Sequence, residues 1–527
     1  MVSLHQFNPA LFVRSLKAVV TFTILLFTVT LCYASFRSHS SFKDTINHAH
    51  ASLKACSPEA LNEITPTGFL CQIRSAQEKA RSYGRVQSTS AAEAVVEYKR
   101  RYHRSPPKGF EDWVEFALSH GSKIIDNFDQ IDRDLEPYRT PEARQAFSVL
   151  QSQSKHCPRT SRITIRNGTM AMSSAYLYDK EWKKLVEPFL HALPDSLFYL
   201  NDIDEPRILG TSAPPAVADF TDRSGESIED LILESCAQGT PQPVSPQGKY
   251  KDVCQYPHPA DLHALISSPS TFSYTHSLVP ILSFGRMTAF RDILIPCPCY
   301  AAHPLVQEDS IAFSEKKPIV YWRGSTTGGQ ASRFTWKHGH RERFVAFVQS
   351  LQNTANMLDT GRFFGLKMDD LNKKRTRVLR DAFDVHFGAY IQCDAESCRD
   401  MERVLGPSDA EPEDTSSDYQ FLYDIDGNSM STRFFHLLSQ QAVVLKQTWF
   451  QEWHDERLVP WAHYIPVSMT MEELPALITF LVNDPNGRRL SAEIAQAGST
   501  WSRQVLREID MSIYLYRLLL EIATLSD

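Results

Sequence analysis

Between Tyr419 and Val467 the pattern of hydrophobic and polar positions changes period several times. Tyr419 to Tyr423 is a short apolar and aromatic run suited to a buried parallel strand, and Asp426, Gly427 and Asn428 follow it with turn chemistry. Phe434, Phe435, Leu437 and Leu438 then recur at helical spacing and face a core. Ala442 to Leu445 is apolar again and ends at Lys446 and Gln447, where the C-terminal edge of a parallel sheet holds ligands. The pattern therefore predicts strand, tight turn, helix, strand, loop, strand. Asn428 or Ser429 is suited to cap the helix, whose first backbone N–H groups lack intrahelical partners and offer a phosphate site. Arg433, about one turn in, reaches the same anion with two parallel hydrogen bonds, which suits a diphosphate better than a lysine does. On these features alone an ordinary doubly wound unit with a capped helix and a surface arginine fits equally well.

Similar changes of period occur upstream. ITIRNGTM, residues 163–170, reads as a strand, Lys180 to Leu193 as a helix, and Leu197 to Leu200 as a strand running into NDIDEPR, residues 201–207. Carboxylates at the mouth of a strand, stopped by a proline, display an acid or base, or form a turn with capping acids. Residues 209–262, rich in Pro, Ser and Gly, predict a long irregular insertion. Pro318 to Gly324 is a buried-type strand opening into Ser325-Thr326-Thr327-Gly328-Gly329, where glycines and hydroxyls let a phosphate or sugar approach the backbone. Taken alone, that loop is no more specific than any glycine-rich turn. Residues 384–391 supply another strand, and residues 405–418 an acidic Pro/Ser loop. Ala91 to Tyr138 predicts a helical module with a turn at Pro106 to Gly109 and a helix showing Trp113 and Phe116 on one face. The last helix, Ile509 to Ile522, carries an apolar surface of Ile513, Leu515, Leu518 and Leu519 that packs rather than acts.

Length and charge narrow the picture. The 527 residues support two or three domains, and a net charge of −7 leaves no nucleic-acid footprint. Ala18 to Ala34 is an almost uncharged apolar run preceded by Arg14 and Lys17 and extended by Leu11 to Val13. A cleaved signal peptide competes for this run. An uncleaved type II anchor is preferred, because the run exceeds a usual signal core and a stem-like segment follows. Basic residues before the span keep the N-terminus cytosolic and the remainder lumenal, and the C-terminus carries no KDEL-type retrieval signal. Of the ten cysteines Cys32 lies inside the run, so nine remain and at least one is unpaired within a monomer. No pair has CxxC spacing. Cys297-Pro298-Cys299 is too close to favour mutual bridging, so disulfides to distant partners are expected. Asn167-Gly168-Thr169 is a glycosylation sequon, usable in a lumenal protein.

In this order and spacing, DIDGNSMSTRF, VVLKQ, the Glu452 region and LVPWAHYIPV resemble the C-terminal core of family-90 glycosyltransferases. That family includes fungal capsule-associated enzymes of the CAP-ten type and Rumi-type protein O-glucosyltransferases. The PPxGF…W stretch, DEPR, DIL(I)P and YWRGS extend the resemblance over roughly residues 91–510, with gaps. It implies an α/β, GT-B-like fold of two Rossmann-like domains facing a cleft, behind a transmembrane anchor and helical stem. The implied segments are residues 1–40, tail and anchor; 41–155, stem and helical module; 156–310, acceptor-side domain; 311–500, nucleotide-sugar domain; and 501–527, a C-terminal helix. By resemblance Asp204, directly before the x-Pro, is the catalytic base, while Asp202, Phe284 and Arg286 line the acceptor or donor sugar side. Arg323, Gly324, Ser325, Asp426, Gly427, Ser429, Arg433 and Lys446 surround the nucleotide sugar, joined by Arg341 or Arg343, whose register the sequence leaves open.

Two DxD triplets, Asp202-Ile203-Asp204 and Asp424-Ile425-Asp426, raise the alternative of a divalent ion that neutralises the leaving diphosphate. Neither triplet sits in a GT-A-like arrangement. In GT-B-like enzymes a helix N-terminus and arginines stabilise the diphosphate without a metal, so no metal or cofactor is expected to be required, with Mn or Mg the alternative. The resemblance implies transfer of xylose or glucose, with inversion, from a UDP-sugar to a glycan hydroxyl in fungal capsule, cell-wall or glycolipid synthesis. The implied location is the Golgi or endoplasmic reticulum membrane, spanned once. Protein O-glucosylation or xylosylation is one alternative. A catalytically inactive, membrane-tethered glycan-binding scaffold is another, against which Asp204 and Arg433 stand intact.

Overall fold

Two five-stranded sheets carry the motifs. The computed structural model describes residues 56–525 apart from residues 58, 84–86, 153–156, 175–176, 216, 239–247, 303–308, 310 and 353–378. The chain divides into Met1–Glu63, described only at its end, where Ala60–Asn62 forms a 3-10 turn, and Ile64–Asp527, which holds both sheets. The expected anchor lies outside the described residues, among which no helix is long and apolar enough to cross a membrane.

In the first sheet, β1 (Thr160–Arg166) and β2 (Thr169–Met172) form an antiparallel hairpin. The stretch predicted as one strand turns at Asn167 and Gly168, both at positive φ (48° and 70°), which an Asn-Gly pair adopts readily. β3 (Ser196–Asn201) pairs antiparallel with β1. The next segment is less irregular than its composition predicts. It contains β4 (Thr221–Asp222), which pairs with β5 (Ser273–Tyr274), and a helix, Glu229–Ala237, tied by the Cys236–Cys254 disulfide. β6 (Ile281–Ser283) and β7 (Ile293–Leu294) extend the first sheet in parallel, giving the order β2-β1-β3-β6-β7.

The second sheet is wholly parallel. β8 (Lys317–Ser325), β9 (Phe383–Ala389), β10 (Tyr419–Ile425), β11 (Val443–Gln447) and β12 (Ile465–Val467) stand in the order β12-β11-β10-β8-β9. Central β10 is buried from Phe421 to Ile425, as expected of a strand covered on both faces. This mixed α/β architecture with parallel sheets fits a glycosyltransferase fold.

The two ends of the described chain pack crosswise. Helix Pro66–Tyr83 joins the second sheet: Phe69 stacks on Trp461 with ring centres 6.1 Å apart, and Arg74 pairs with Glu493 at 3.0 Å. Helix Glu508–Ala523 returns to the first sheet's side of the molecule. There Trp113 Nε1–H donates to the Ile513 carbonyl at 2.9 Å, and Phe189 stacks on Tyr516 at 4.6 Å. Cys297 and Cys299 form a disulfide with each other, contrary to the expectation of distant partners. Their Cα atoms lie 5.1 Å apart across Pro298, within disulfide reach. Cys393 pairs with Cys398, and among the described residues Cys157 is unpaired and buried.

Candidate active site

The loop after β10 differs from the predicted tight turn and cap. Helix Phe434–Ser439 begins with Arg433 at its N-cap, so neither Asn428 nor Ser429 caps it, and six residues provide no N-terminal anion site. Gly427 N–H donates to the Ser429 carbonyl at 2.7 Å, closing a local turn that spends these residues before the helix starts. The four apolar positions of the predicted helix are buried.

Arg433 lies over the end of β8, where its guanidinium donates to the Arg323 carbonyl. Together with Arg323, Gly324, Ser325, Glu411 and His436 it lines a cavity of about 480 Å³. The Arg323 guanidinium is held by Asp384 at 2.9 Å and by Asp409 and Glu411 at 3.0 Å each, so its charge is matched before any ligand arrives.

Of the two arginines whose register was open, Arg341 joins the two strand ends. Its Nε donates to the Asp426 carbonyl at 2.7 Å, and its Nη1 to the Ser325 carbonyl at 2.8 Å and Thr327 Oγ1 at 2.7 Å. Burial pulls its pKa down to about 10, and the nearby Arg433 adds to the effect. A Cβ on Gly427 would come within 3.2 Å of Arg341 Nη2, so glycine leaves the guanidinium room. Arg343 points elsewhere and donates to the Asp261 carbonyl at 3.0 Å.

Three residues expected beside the nucleotide sugar are buried away from the cavity. The Asp426 carboxylate, 1% exposed, accepts the Trp449 N–H at 3.0 Å and lies 3.3 Å from His263 Nε2; burial pushes its pKa up to about 6. Only its carbonyl meets Arg341. Ser429 is buried, with its carbonyl occupied by Gly427. Lys446, 2% exposed, pairs with Asp424 at 3.0 Å and Glu452 at 3.2 Å, and its ammonium stands 3.7 Å from the Phe434 ring centre. The register explains this placement, since parallel pairing sets Asp424 beside Lys446 on adjacent strands. Tyr300 completes the group, with its hydroxyl 2.8 Å from Glu452 Oε2 and 3.0 Å from the Ser431 carbonyl.

On the other sheet Asp204 follows the C-terminal end of β3. Its Oδ2 accepts a hydrogen bond from Asn428 Nδ2 at 3.4 Å, joining positions 224 residues apart. Asp204 keeps solvent access, while the surrounding protein raises its pKa and the Asn428 amide lowers it. Asp202 accepts instead from Ser161 Oγ at 2.9 Å. Each carboxylate of the two triplets therefore has its own protein partner, and among the described residues no cluster of three or more His, Cys, Asp or Glu is arranged to hold a metal ion. Glu205, next in the chain, is buried and accepts from Thr271 Oγ1 at 2.7 Å, and burial pushes its pKa up to about 7.

Arg286 is a strap rather than a sugar contact. Nη2 pairs with Asp134 at 2.5 Å, Nε approaches Gln451 Oε1 at 3.4 Å, and its backbone bonds to that of Gln451 in both directions. Phe284 is buried, with its ring centre 6.4 Å from that of Tyr178. Asp292 accepts the Arg207 and Ile208 N–H groups at 2.8 Å each, satisfying backbone. Asn167 is exposed at the β1–β2 turn.

Sequence reasoning missed the stacked pair His263 and His340, with ring centres 3.8 Å apart. His340 Nε2 lies 2.7 Å from the Asp426 carbonyl, and a Cβ on Gly328 (φ 141°) would come within 2.5 Å of His340 Cε1. Burial holds His263 down at about 3 and His340 well below its usual value, so both are neutral. Nothing in their one-dimensional setting distinguishes them from other loop histidines.

Residues 270–527 match the model of glycosyl transferase family 90, a match that begins after Asp204. O-glucosyltransferase rumi of Drosophila pseudoobscura pseudoobscura is 36% identical over 265 residues, 46% of this chain and 54% of that protein. Protein O-glucosyltransferase 1 of Homo sapiens is 32% identical over 278 residues, 48% of this chain and 59% of that protein. The O-glucosyltransferase rumi homolog of Anopheles gambiae is 26% identical over 264 residues, 46% and 55% of the two chains. The chain thus spans about half the length of the curated relatives it matches. With YWRGS closing β8 and DIDGNSMSTRF following β10, residues 270–527 form a glycosyl transferase family 90 domain, and the chain is similar to the Rumi-type O-glucosyltransferases.

Proposed function

We propose that this chain is a UDP-sugar-dependent glycosyltransferase with Asp204 as its base. The observation that carries the reading is the Asp204–Asn428 hydrogen bond, which sets the carboxylate against the loop that also bears Arg433. Asp204 takes the proton from an acceptor hydroxyl while that oxygen bonds to the sugar C1. The bond from C1 to the diphosphate oxygen breaks, its electron pair leaves with UDP, and the anomeric centre inverts. Arg433, Arg341 and the Ser325 end of β8 stabilise the charge that builds on the departing diphosphate. The two sheets act as GT-B-like halves facing a cleft, one bearing the base and the other the cations. No metal is required in this scheme, since the carboxylates of both triplets are engaged by protein groups and the two arginines supply positive charge.

The donor is UDP-glucose or UDP-xylose, and the glucosyl in the relatives' names favours glucose. The acceptor is a glycan hydroxyl, met by a lumenal catalytic part anchored as a type II protein in the Golgi membrane. A protein acceptor is the second reading, favoured by the name of the human relative, protein O-glucosyltransferase 1.

The test is turnover of a UDP-sugar panel by the full-length chain in detergent, with and without EDTA, offered glycan and folded-protein acceptors. Asp204→Asn is expected to lower kcat by about 10²–10⁴-fold, and Arg433→Ala by about 10²-fold or more, with activity retained in EDTA. A folded wild type that neither binds nor turns over any UDP-sugar sinks the proposal. Loss of activity in EDTA reassigns charge stabilisation to a metal.

A further inference from the structure

We infer that Asn428 is the positioning residue that holds the Asp204 carboxylate against the donor loop. The inference rests on Asp204 being the base. Asn428 Oδ1 accepts the Gly328 N–H at 3.1 Å and faces Ser270 Oγ at 3.3 Å. With two donors on its oxygen the amide has one orientation, and Nδ2 is turned to Asp204 Oδ2 at 3.4 Å. Four segments meet at this one half-buried side chain: Asp204 past β3, Ser270 before β5, Gly328 past β8, and Asn428 itself past β10.

The chemistry of an amide suits this junction. An N–H directed at one carboxylate oxygen favours the ionised form, the form that accepts a proton, and leaves Oδ1 to meet the acceptor hydroxyl. Bonds of this kind shorten when substrate fills the site. An alanine would provide no donor. An aspartate would keep an acceptor for Gly328 and Ser270 but set a second negative charge beside the base. Because Gly328 belongs to the Ser325–Gly329 loop, the same amide ties the position of the base to the donor-side backbone.

The experiment is the pH profile of kcat/KM for the full-length enzyme, with the UDP-sugar that the wild type turns over, alongside Asn428→Ala and Asn428→Asp. Asn428→Ala is expected to lower kcat/KM about tenfold or more and to move the acid limb to higher pH. Asn428→Asp, isosteric and still able to accept from Gly328, is expected to move that limb further in the same direction. A residue that merely packs the loop lowers the rate without moving the limb. Acid limbs unmoved in both variants therefore overturn the role, and if the alanine variant does not fold the aspartate variant decides alone. A wild type inactive with every UDP-sugar is seen before any variant is compared, and it overturns the functional reading together with this one.

Discussion

Glu205 is buried and carries a raised pKa of about 7, against an ordinary 4.5, because burial penalises its charged form. The folded protein therefore keeps a proton that the unfolded chain has released. Stability is full below about pH 4.5, falls as pH rises through about 7, and changes no further above that for this group. The loss across the window is on the order of 3 kcal/mol. Glu205→Gln, which cannot ionise, is expected to unfold at nearly the same temperature as wild type at pH 5 and at a higher one at pH 8. Equal melting curves at both pH values would show that Glu205 does not titrate in this window. At this scale the sequence offered Asp204, Arg433 and Ser325 as site residues through the family resemblance, not through their positions at strand mouths and loops alone. It misread Asn428, because the side chain that caps a helix also accepts from Gly328 and donates to Asp204, and only the fold separates these uses.

At the scale of elements, the pairing of β10 with β11 decides the role of Lys446. A polar residue at the end of an apolar strand reads as a ligand in one dimension. The register instead sets it beside Asp424 and under Phe434, with Glu452 closing the group. Lys446→Met fills the volume but leaves two buried carboxylates without their cation, which is expected to cost about 3–5 kcal/mol. Thermal unfolding measures that loss, and the donor KM of the folded fraction is expected to stay near wild type. An unchanged melting temperature with a raised KM would return Lys446 to the ligand side. The strands themselves were legible, because buried parallel strands write near-continuous apolar runs. The β1–β2 hairpin was not, although its Asn-Gly turn was in view as a sequon, and the two readings share the same residues.

Across the whole molecule, each end of the described chain completes a core begun far away in sequence. Apolar faces announce that helices Pro66–Tyr83 and Glu508–Ala523 must pack, but a face carries no address for its partner. Helix Pro66–Tyr83 therefore packs with Trp461 and Glu493, and helix Glu508–Ala523 with Trp113 and Phe189, partners that the pattern did not name. Deletion of residues 508–527 uncovers Trp113 and Phe189. Limited proteolysis of that truncated chain is expected to cut within residues 110–192, where the full chain resists; equal resistance would show that the first half closes without the last helix.

The crosswise helix also sets a clock on biosynthesis. Trp113 and the carbonyl that receives its N–H are 400 residues apart, so at about 5–20 residues per second the indole is made roughly 20–80 s before its partner. For that interval an apolar surface waits open while later segments emerge. The first half of the chain is thus translated early and finished late, and its native state becomes available only once helix Glu508–Ala523 has been made.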